Sequence, residues 1–482
     1  MLFNSIDFAL FLPVVFVLYW FVFKNSLKYQ NLLVVAASYV FYGWWDWRFL
    51  GLIIFSTVLD FFIGKSLAKT THELNRKLLL YTSVAVNLGF LGIFKYFDFF
   101  VSNFIEAFSL FGVELSAGSL NIILPVGISF YTFQTLSYSI DVYRRKLKHT
   151  DDFIAFSAFV CFFPQLVAGP IERATNLLPQ FLKARKFNYD QAADGMRQIL
   201  WGLFKKVVVA DNCAVFVNAI FDNPDPLSGS TLFMGAVFFA FQIYCDFSGY
   251  SDIAIGTSRL FNINLKQNFA TPYFSRNIGE FWRRWHISLS TWFRDYLYIP
   301  LGGSQGGTWN KIRNVFLIFI VSGFWHGASW NFIVWGGLNA LYFLPLLLTQ
   351  NNRNHLNTVA EGSLFPTYKE ILSIGLTFFL TVIAWVFFRA DTLTEAVHYL
   401  NLMFSSSFFT VPSFITPKAF MLYTYLLICL FIAVEWVQRD KKFGLSIENL
   451  NRPFRWVIYT IVIGVIITFG QFGESEFIYF QF

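Results

Sequence analysis

The sequence NVFLIFIVSGFWHGASWNFIVWGGLNALYFLPLLL, residues 314–348, decides the class of fold. It contains two apolar runs, 314–329 and 331–348, and neither run includes Asp, Glu, Lys or Arg. Because a helix needs about 20 mostly apolar residues to cross a bilayer, the stretch predicts two consecutive membrane helices. The first helix carries His326, 13 residues beyond Arg313, which places its imidazole about 20 Å into the bilayer.

The rest of the chain has the same character. Of its 482 residues, 56% are apolar and 13% are charged, whereas a soluble domain has about 45–50% and about 25%. An aromatic share of 21% also suits a bundle whose Trp and Tyr side chains lie at the membrane interfaces. We therefore predict an all-α polytopic membrane protein with about 11–12 transmembrane helices. The other apolar runs occur at 6–23, 32–45, 48–64, 78–94, 121–140, 203–222, 229–245, 371–388, 420–436 and 456–471.

The positions of Lys and Arg predict the orientation. If the N-terminus lies outside, only Arg48, Lys95, Arg389 and Lys418 of the 36 basic residues face the outer side, and 32 face the inner side. This asymmetry is what the positive-inside rule requires, so both termini are predicted to be extracytoplasmic. The whole chain is predicted to form one membrane-embedded domain, residues 1–482. Its expected parts are N-terminal spans in 1–110, a core at about 120–350 and C-terminal spans in 371–482.

Two inner segments, 151–200 and 246–312, differ from ordinary loops. They interleave aromatic residues with Arg, a composition that is typical of the headgroup zone. We expect re-entrant or interfacial helices there, on the cytoplasmic side, because irregular backbone at membrane depth survives only against protein or a wet cavity. The alternative is an amphipathic helix that lies on the surface and has no chemical role.

His326 is the first candidate for chemistry. A neutral imidazole in an apolar helix costs a few kcal/mol unless both of its nitrogens find partners, so a satisfied structural histidine is the competing interpretation. Gly323 and Gly327 flank it and leave room for a ligand beside the ring. A general base for acyl transfer is the simplest chemistry for such a histidine, because its pKa is close to the working pH. Proton relay in a transporter is the alternative.

His286 is the second candidate, because it ends the cationic run Phe281-Trp-Arg-Arg-Trp-His. Arginines cluster around it, which suits a polyanionic small molecule or lipid phosphate. These arginines are Arg276, Arg283, Arg284 and Arg294.

Asp246 and Asp252 have poor spacing for metal ligands, so we expect them to order the backbone by hydrogen bonding. The four cysteines are isolated, and no metal site is predicted. The absence of a basic stripe on a polar domain argues against nucleic acid.

Four motifs occur in the order expected of a known family. They are YCDFSGYSD at 244–252, FWRRWHISLS at 281–290, RDYLYIPLGG at 294–303 and FWHG at 324–327. Together with FPQLVAGP at 163–170, they resemble the membrane-bound O-acyltransferase (MBOAT) superfamily. The resemblance covers essentially the whole chain and is strongest to the bacterial alginate O-acetylation branch.

The resemblance implies a ring of helices around a thinned centre, with a funnel from each side. His326 matches the catalytic histidine of the superfamily, and His286 matches the second motif histidine, whose role is open. Acetyl-CoA is the implied donor, and no bound cofactor is expected. The residues expected to form the donor and substrate passage are Arg283, Arg284, Trp282, Trp285, Arg294, Asp295, Tyr296, Asp246, Ser248, Tyr250, Asp252, Pro164 and Gln165.

The resemblance also implies a setting for the reaction. The protein is expected in the bacterial inner membrane, in contact with lipid, together with an extracytoplasmic partner that acetylates polysaccharide. The acceptor is expected to be alginate-like, with peptidoglycan or cellulose as alternatives. A proton- or solute-coupled transporter and a non-catalytic scaffold are the competing functions from other classes.

Overall fold

The structure is a computed structural model, and it describes residues 1–110, 124–167, 169–412, 417–473 and 477–478. Within these ranges the chain forms helices and connecting turns, with no β-strand. The all-α prediction is therefore confirmed for the part of the chain that is described.

The chain divides into two compact units. The first comprises Met1–Ala193 with Thr257–Lys266, and the second comprises Asp194–Gly256 with Gln267–Phe482. Helices of the first unit are α1 (Ile6–Val17), α2 (Leu27–Asp46), α3 (Leu50–Lys69), α4 (Glu73–Leu91), α5 (Phe97–Ser109), α6 (Ile128–Tyr143), α7 (Phe153–Cys161), α8 (Phe163–Leu166) and α9 (Ala174–Phe181). The helices that follow are α10 (Tyr189–Leu203), α11 (Asp211–Phe221), α12 (Gly229–Leu260), α13 (Ile278–Arg284), α14 (Ile287–Phe293), α15 (Thr308–His326), α16 (Trp330–Leu348), α17 (Tyr368–Arg389), α18 (Leu393–Met403), α19 (Lys418–Val437) and α20 (Arg452–Phe469).

Seven helical segments of the described chain are long and apolar enough to cross a membrane. The predicted runs 32–45 and 48–64 both fall in the segment Leu27–Lys69, which α2 and α3 share. The prediction of a polytopic membrane protein is confirmed, whereas the count of about 11–12 transmembrane helices, the ring and the re-entrant helices stay predictions. The seven segments are Leu27–Lys69, Glu73–Ser109, Gly229–Leu260, Trp330–Leu348, Tyr368–Arg389, Lys418–Val437 and Arg452–Phe469.

A buried carboxylate ties three helices of the first unit together. Asp60 of α3 accepts hydrogen bonds from Ser83 Oγ at 2.5 Å and Asn87 Nδ2 at 2.8 Å, both on α4. Ser139 of α6 donates to the same side chain at 2.6 Å. Asp60 is fully buried, and these donors replace the water that a carboxylate needs. This polar cluster is the partner set that the sequence did not reveal for Asp60.

In the second unit, α15 and α16 pack closely because glycines line their contact. A Cβ atom on Gly323 would lie 2.1 Å from the carbonyl oxygen of Phe332, and one on Gly327 would lie 2.1 Å from the Phe332 ring. The expectation that these glycines leave room for a ligand is wrong, because Phe332 of α16 fills that space. Helix α15 ends at His326, so the imidazole lies at the C-terminal end of a helix rather than in its interior.

Candidate active site

His286 lies between α13 and α14 in a left-handed backbone conformation, with φ 43° and ψ 54°. This region is unfavourable for residues other than glycine, and such strain persists only where the surroundings enforce it. The segment around Asn268 provides that enforcement. Its carbonyl oxygen accepts a hydrogen bond from the backbone N–H of Ile287 at 2.9 Å, directly after the strained residue.

The side chain of Asn268 defines the tautomer of His286. Its Oδ1 accepts from the Ser288 hydroxyl at 2.8 Å and from the Ser288 backbone N–H at 3.3 Å. Because a backbone N–H can only donate, the atom facing it is the amide oxygen. The same oxygen lies 3.1 Å from Nδ1 of His286, so Nδ1 carries the proton and Nε2 carries the lone pair. The arrangement leaves the basic nitrogen on the opposite edge of the ring.

The two motif histidines are close neighbours. The centroids of the His286 and His326 rings lie 6.4 Å apart. The side chain of His326 packs edge-on against Trp335 at 5.2 Å and Phe388 at 5.4 Å. Both histidines are buried, with exposed fractions of 1% and 4%. Burial lowers the pKa of His286, which lies outside the seven spans, to about 3, so its imidazole is neutral at physiological pH.

The predicted donor-binding arginine Arg283 contacts the protein's own backbone. Its Nη1 donates to the carbonyl oxygen of Asn352 and its Nη2 to that of His355, both at 2.7 Å. Burial lowers the pKa of this guanidinium. In the structure Arg283 thus holds the 352–355 loop, and its part in donor binding stays a prediction.

The neighbouring arginines share a carboxylate. Glu280 Oε1 lies 3.0 Å from Arg276 Nη2 and 2.9 Å from Arg284 Nη2. Arg284 also donates to the carbonyl oxygen of Ala270 at 3.2 Å and to that of Asn357 at 3.1 Å. The prediction of an arginine cluster therefore misses the glutamate that neutralises part of its charge.

The two aspartates of the 244–252 motif form buried ion pairs. Lys206 Nζ lies 2.8 Å from Asp246 Oδ1, and Lys205 Nζ lies 2.6 Å from Asp252 Oδ2. Both lysines belong to the π-helical turn Phe204–Ala210 and are almost fully buried. The count of basic residues assigned both lysines to the inner side, and the structure adds that they are buried in the second unit and balance carboxylates there.

The remaining residues of that motif join the same network. Lys205 Nζ donates to Ser248 Oγ at 2.9 Å, and the Tyr250 ring centroid lies 5.6 Å from Lys206 Nζ. Lys206 also pairs with Asp211 at 2.9 Å. Asp246 and Asp252 are thus engaged in ion pairs, and their expected part in ordering the backbone stays a prediction. Among the described residues no cluster of three or more His, Cys, Asp or Glu side chains could hold a metal ion.

The other predicted passage residues lie in different places. Trp285 is buried among aromatic rings, including Trp385 at 5.0 Å, whereas Trp282 is partly exposed and donates to Asn339 at 3.2 Å. Arg294 is exposed and pairs with its neighbour Asp295 at 2.7 Å. Tyr296 packs against Trp292 in the second unit, and Pro164 and Gln165 belong to α8 of the first unit.

A pocket in the second unit adjoins the segment that holds His286. Asn268 and Phe269 form part of its wall, and the Phe269 ring stacks on His286 with 6.4 Å between centroids. Charged and polar side chains from several helices and loops line the rest. They include Lys205, Asp252, Gln267, Glu435, Gln438, Lys441 and Lys442.

The sequence did not single out three residues that the structure places at the site. Asn268 holds His286, and Lys205 and Lys206 hold the two motif aspartates. A signal for the lysines exists, since two adjacent cations within an apolar run need buried counter-charges. Nothing in the local sequence marks Asn268, whose partner lies 18 residues away.

Comparisons with known proteins show the family. The chain matches the membrane-bound O-acyltransferase (MBOAT) family over residues 44–387. It is 41% identical over 409 residues to the probable alginate O-acetylase AlgI of Pseudomonas aeruginosa, covering 84% of this chain and 75% of that protein. It is 37% identical over 431 residues to the peptidoglycan O-acetyltransferase of Helicobacter pylori, covering 83% and 79%.

A more distant relative is named for a different activity. The teichoic acid D-alanyltransferase of Bacillus subtilis is 30% identical over 269 residues, covering 54% of this chain and 67% of that protein. The matched region of the family contains both buried histidines and the ion-paired aspartates. The chain therefore belongs to the membrane-bound O-acyltransferase family, and it is a multi-pass membrane O-acyltransferase.

Proposed function

We propose that this protein passes an acetyl group from cytoplasmic acetyl-CoA across the membrane toward an extracytoplasmic hydroxyl acceptor, for O-acetylation of an alginate-like exopolysaccharide. The single observation that carries the proposal is the pair of buried imidazoles, 6.4 Å apart, at the two family motifs. The names of the relatives support acetyl transfer to a glycan, because they include alginate and peptidoglycan acetylases. An alginate-like acceptor is favoured by the higher identity to the alginate enzymes, and peptidoglycan or cellulose is the second candidate.

In the proposed reaction His326 removes the proton from the acceptor hydroxyl. The hydroxyl oxygen then attacks the thioester carbonyl carbon, a C–O bond forms, and the C–S bond breaks. The CoA thiolate leaves and takes up the proton that the histidine held, so the enzyme returns to its starting state. General base catalysis of this kind contributes about 10²- to 10⁴-fold to a rate.

His286 serves the same reaction as a neutral group. Its Nδ1–H is held by Asn268, so its Nε2 presents a lone pair and orients a hydroxyl or an imidazole N–H near His326. A neutral ring suits this role, because a protonated one could only donate hydrogen bonds.

The pocket that Asn268 and Phe269 line is the binding site that we propose for the donor. Lys441 and Lys442 line it, and they lie in the loop 437–455 that is predicted to be cytoplasmic. The phosphates of acetyl-CoA favour cationic partners, and a lysine near a phosphate acts as a point charge. We propose that these two lysines attract the donor, since Arg283 and Arg284 are engaged with backbone carbonyls and Glu280.

The setting of the reaction completes the proposal. The protein is placed in the bacterial inner membrane with both termini outside, and a periplasmic acetyl-transferring partner is proposed to complete the modification of the glycan. The charge asymmetry of the predicted loops supports this orientation.

One experiment tests the donor, the direction and the acceptor together. Inverted vesicles that contain the protein are given radiolabelled acetyl-CoA on the exposed cytoplasmic face, and the lumenal product is identified by mass spectrometry. We expect labelled ester on the polysaccharide with wild type and none with His326→Ala at equal membrane abundance. Gradient-driven solute uptake without an acyl donor would favour a transporter, and labelling by His326→Ala would overturn the catalytic assignment.

The Lys441 and Lys442 assignment has its own comparison. Replacement of both lysines by Glu is expected to raise the KM for acetyl-CoA at least about 10-fold, because each change reverses a charge near the donor phosphates. Lys369→Glu is the matched control, since Lys369 is exposed in the first turn of α17 and does not line the pocket. An equal change in KM for control and test would count against this donor position.

A further inference from the structure

Phe477 and Ile478 lie inside the second unit although they come after the last described helix. Their exposed fractions are 0% and 2%, whereas α20, which precedes them, has no fully buried residue. A short apolar segment that is buried more completely than the adjoining helix has a specific binding place in the fold.

The binding place is defined by a charged network. The backbone N–H of Ile478 donates to Asp246 Oδ2 at 2.8 Å. The other oxygen of that carboxylate lies 2.8 Å from Lys206 Nζ, and Lys206 is 1% exposed. Charge-assisted hydrogen bonds inside a protein are about twice as strong as neutral ones. The bond to Asp246 therefore holds the backbone of Ile478 in a fixed position.

The ring of Phe477 extends the contact toward His286. Its centroid lies 4.4 Å from that of Tyr250 and 5.7 Å from that of Phe247. Phe247 in turn meets the His286 imidazole edge-on, with 4.6 Å between centroids and 90° between planes. A continuous set of contacts therefore connects Lys206, Asp246, Ile478, Phe477 and Phe247 to the second motif histidine.

We infer that Phe477 and Ile478 form a positioning element for His286, which they keep in register with His326. This inference rests on the proposed function. The Asn268 bond fixes only one edge of the imidazole, and the ring can still rotate about that bond unless a wall restrains its faces. Phe247 is part of that wall, and Phe477 packs against Phe247. A displacement of about 1 Å at a reacting group costs roughly 100-fold in rate.

The first test is kinetic. Phe477→Ala is expected to lower kcat for acetyl transfer about 10-fold or more, while KM for the donor changes less than about twofold, because misplacement acts on the transition state. Phe477→Leu, which restores apolar volume, is expected to recover part of kcat. Phe472→Ala is the matched control, since this substitution also removes a phenyl ring but at a side chain that is 63% exposed. Ile478→Pro removes the N–H donor together with the buried isoleucine side chain, and it is expected to act like Phe477→Ala.

The second test does not depend on activity. The rate at which diethyl pyrocarbonate modifies His286 is measured by peptide mass spectrometry in intact detergent-solubilised protein. We expect faster modification of His286 in Phe477→Ala and Ile478→Pro at unchanged melting temperature, and an unchanged rate in Phe472→Ala. If Phe477→Ala does not fold, Phe477→Leu and Ile478→Pro give the same comparison.

Two results would overturn the inference. One is a kcat within twofold of wild type in both Phe477→Ala and Ile478→Pro, and the other is a loss of kcat with no change in the His286 modification rate. Failure of the proposed function itself is distinguishable, because wild type would then transfer no acetyl group while the modification rates still differ between variants.

Discussion

The side-chain oxygen of Asn268 lies 3.1 Å from Nδ1 of His286, and the carbonyl oxygen of the same asparagine binds the backbone N–H of Ile287. One residue therefore fixes both the imidazole and the left-handed backbone that carries it. The consequence is a defined tautomer, with the proton on Nδ1 and the lone pair on Nε2, next to His326.

This relationship predicts the effect of removing the amide. Asn268→Ala is expected to lower kcat about 10- to 100-fold, because the ring loses its orientation and its tautomer preference. Steady-state acetyl transfer in proteoliposomes is the measurement. Asn31→Ala is a matched control, since Asn31 is also buried and its side-chain oxygen also accepts a hydrogen bond, from Arg185, within the first unit. Unchanged kcat in Asn268→Ala would remove Asn268 from the positioning of His286.

Substitution of either buried histidine is expected to lower kcat, whereas substitution of the exposed His398 is not. His326→Ala should lower kcat by at least about 10²-fold, as expected for loss of a general base. His286→Ala should lower it by a smaller factor, because the base is retained. His398→Ala should leave kcat unchanged, since this histidine lies at the surface and pairs with Asp225. Equal losses for His326 and His398 would contradict the assignment.

The lowered pKa of His286 predicts how stability depends on pH. The unfolded chain protonates this residue near pH 6.5 and the folded chain near pH 3, so the unfolded state holds more protons between these values. The contribution is present above pH 6.5 and is lost as the pH falls toward 3. We expect the melting temperature in detergent to fall over this window and to fall less steeply in His286→Asn. Parallel curves for the two proteins would show that His286 does not titrate as the structure indicates.

The ion pair between Lys205 and Asp252 predicts an asymmetry between single and double variants. Lys205→Met leaves the carboxylate of Asp252 buried without its cation, which costs about 3–5 kcal/mol in free energy of unfolding. The double variant Lys205→Met with Asp252→Leu removes both charges and is expected to regain most of that loss. Unfolding in a mild detergent titration measures both. Strict additivity of the two substitutions would argue against a coupled pair.

The glycines between α15 and α16 predict a steric effect near His326. Gly323→Ala is expected to destabilise the protein by about 1–3 kcal/mol, because its Cβ would meet the Phe332 carbonyl oxygen at 2.1 Å. Gly337→Ala is the control, since nothing lies within 4 Å of a Cβ at that position. Alanine there is expected to be neutral or stabilising, as it favours helix over glycine by about 1 kcal/mol. Melting temperatures of the two variants decide the comparison.

Much of the class and of the candidate site could be predicted from particular residues. The runs 314–329 and 331–348 predicted helices α15 and α16, because long uncharged apolar runs have few other stable forms in a membrane. His326 and His286 stood out because imidazoles are rare and costly in such surroundings. The structure brings these two residues together.

Other contacts join distant parts of the chain, which local sequence does not show. Arg283 donates to the carbonyl oxygens of Asn352 and His355, 69 and 72 residues away. Lys205 pairs with Asp252, 47 residues away, and Lys206 pairs with Asp246, 40 residues away. These partners belong to other elements, which composition and spacing do not specify, whereas the pair of Glu280 and Arg284 has the i,i+4 spacing of one helix.

The sequence by itself determined a membrane-embedded helical protein with two histidines in family motifs, because apolar length and motif order are properties of the chain. Only the tertiary structure decided how those histidines are held. Asn268 reaches His286 from 18 residues away, and Ile478 reaches Asp246 across 232 residues. Packing alone creates such contacts, since a buried polar group is stable only where folding brings it a partner.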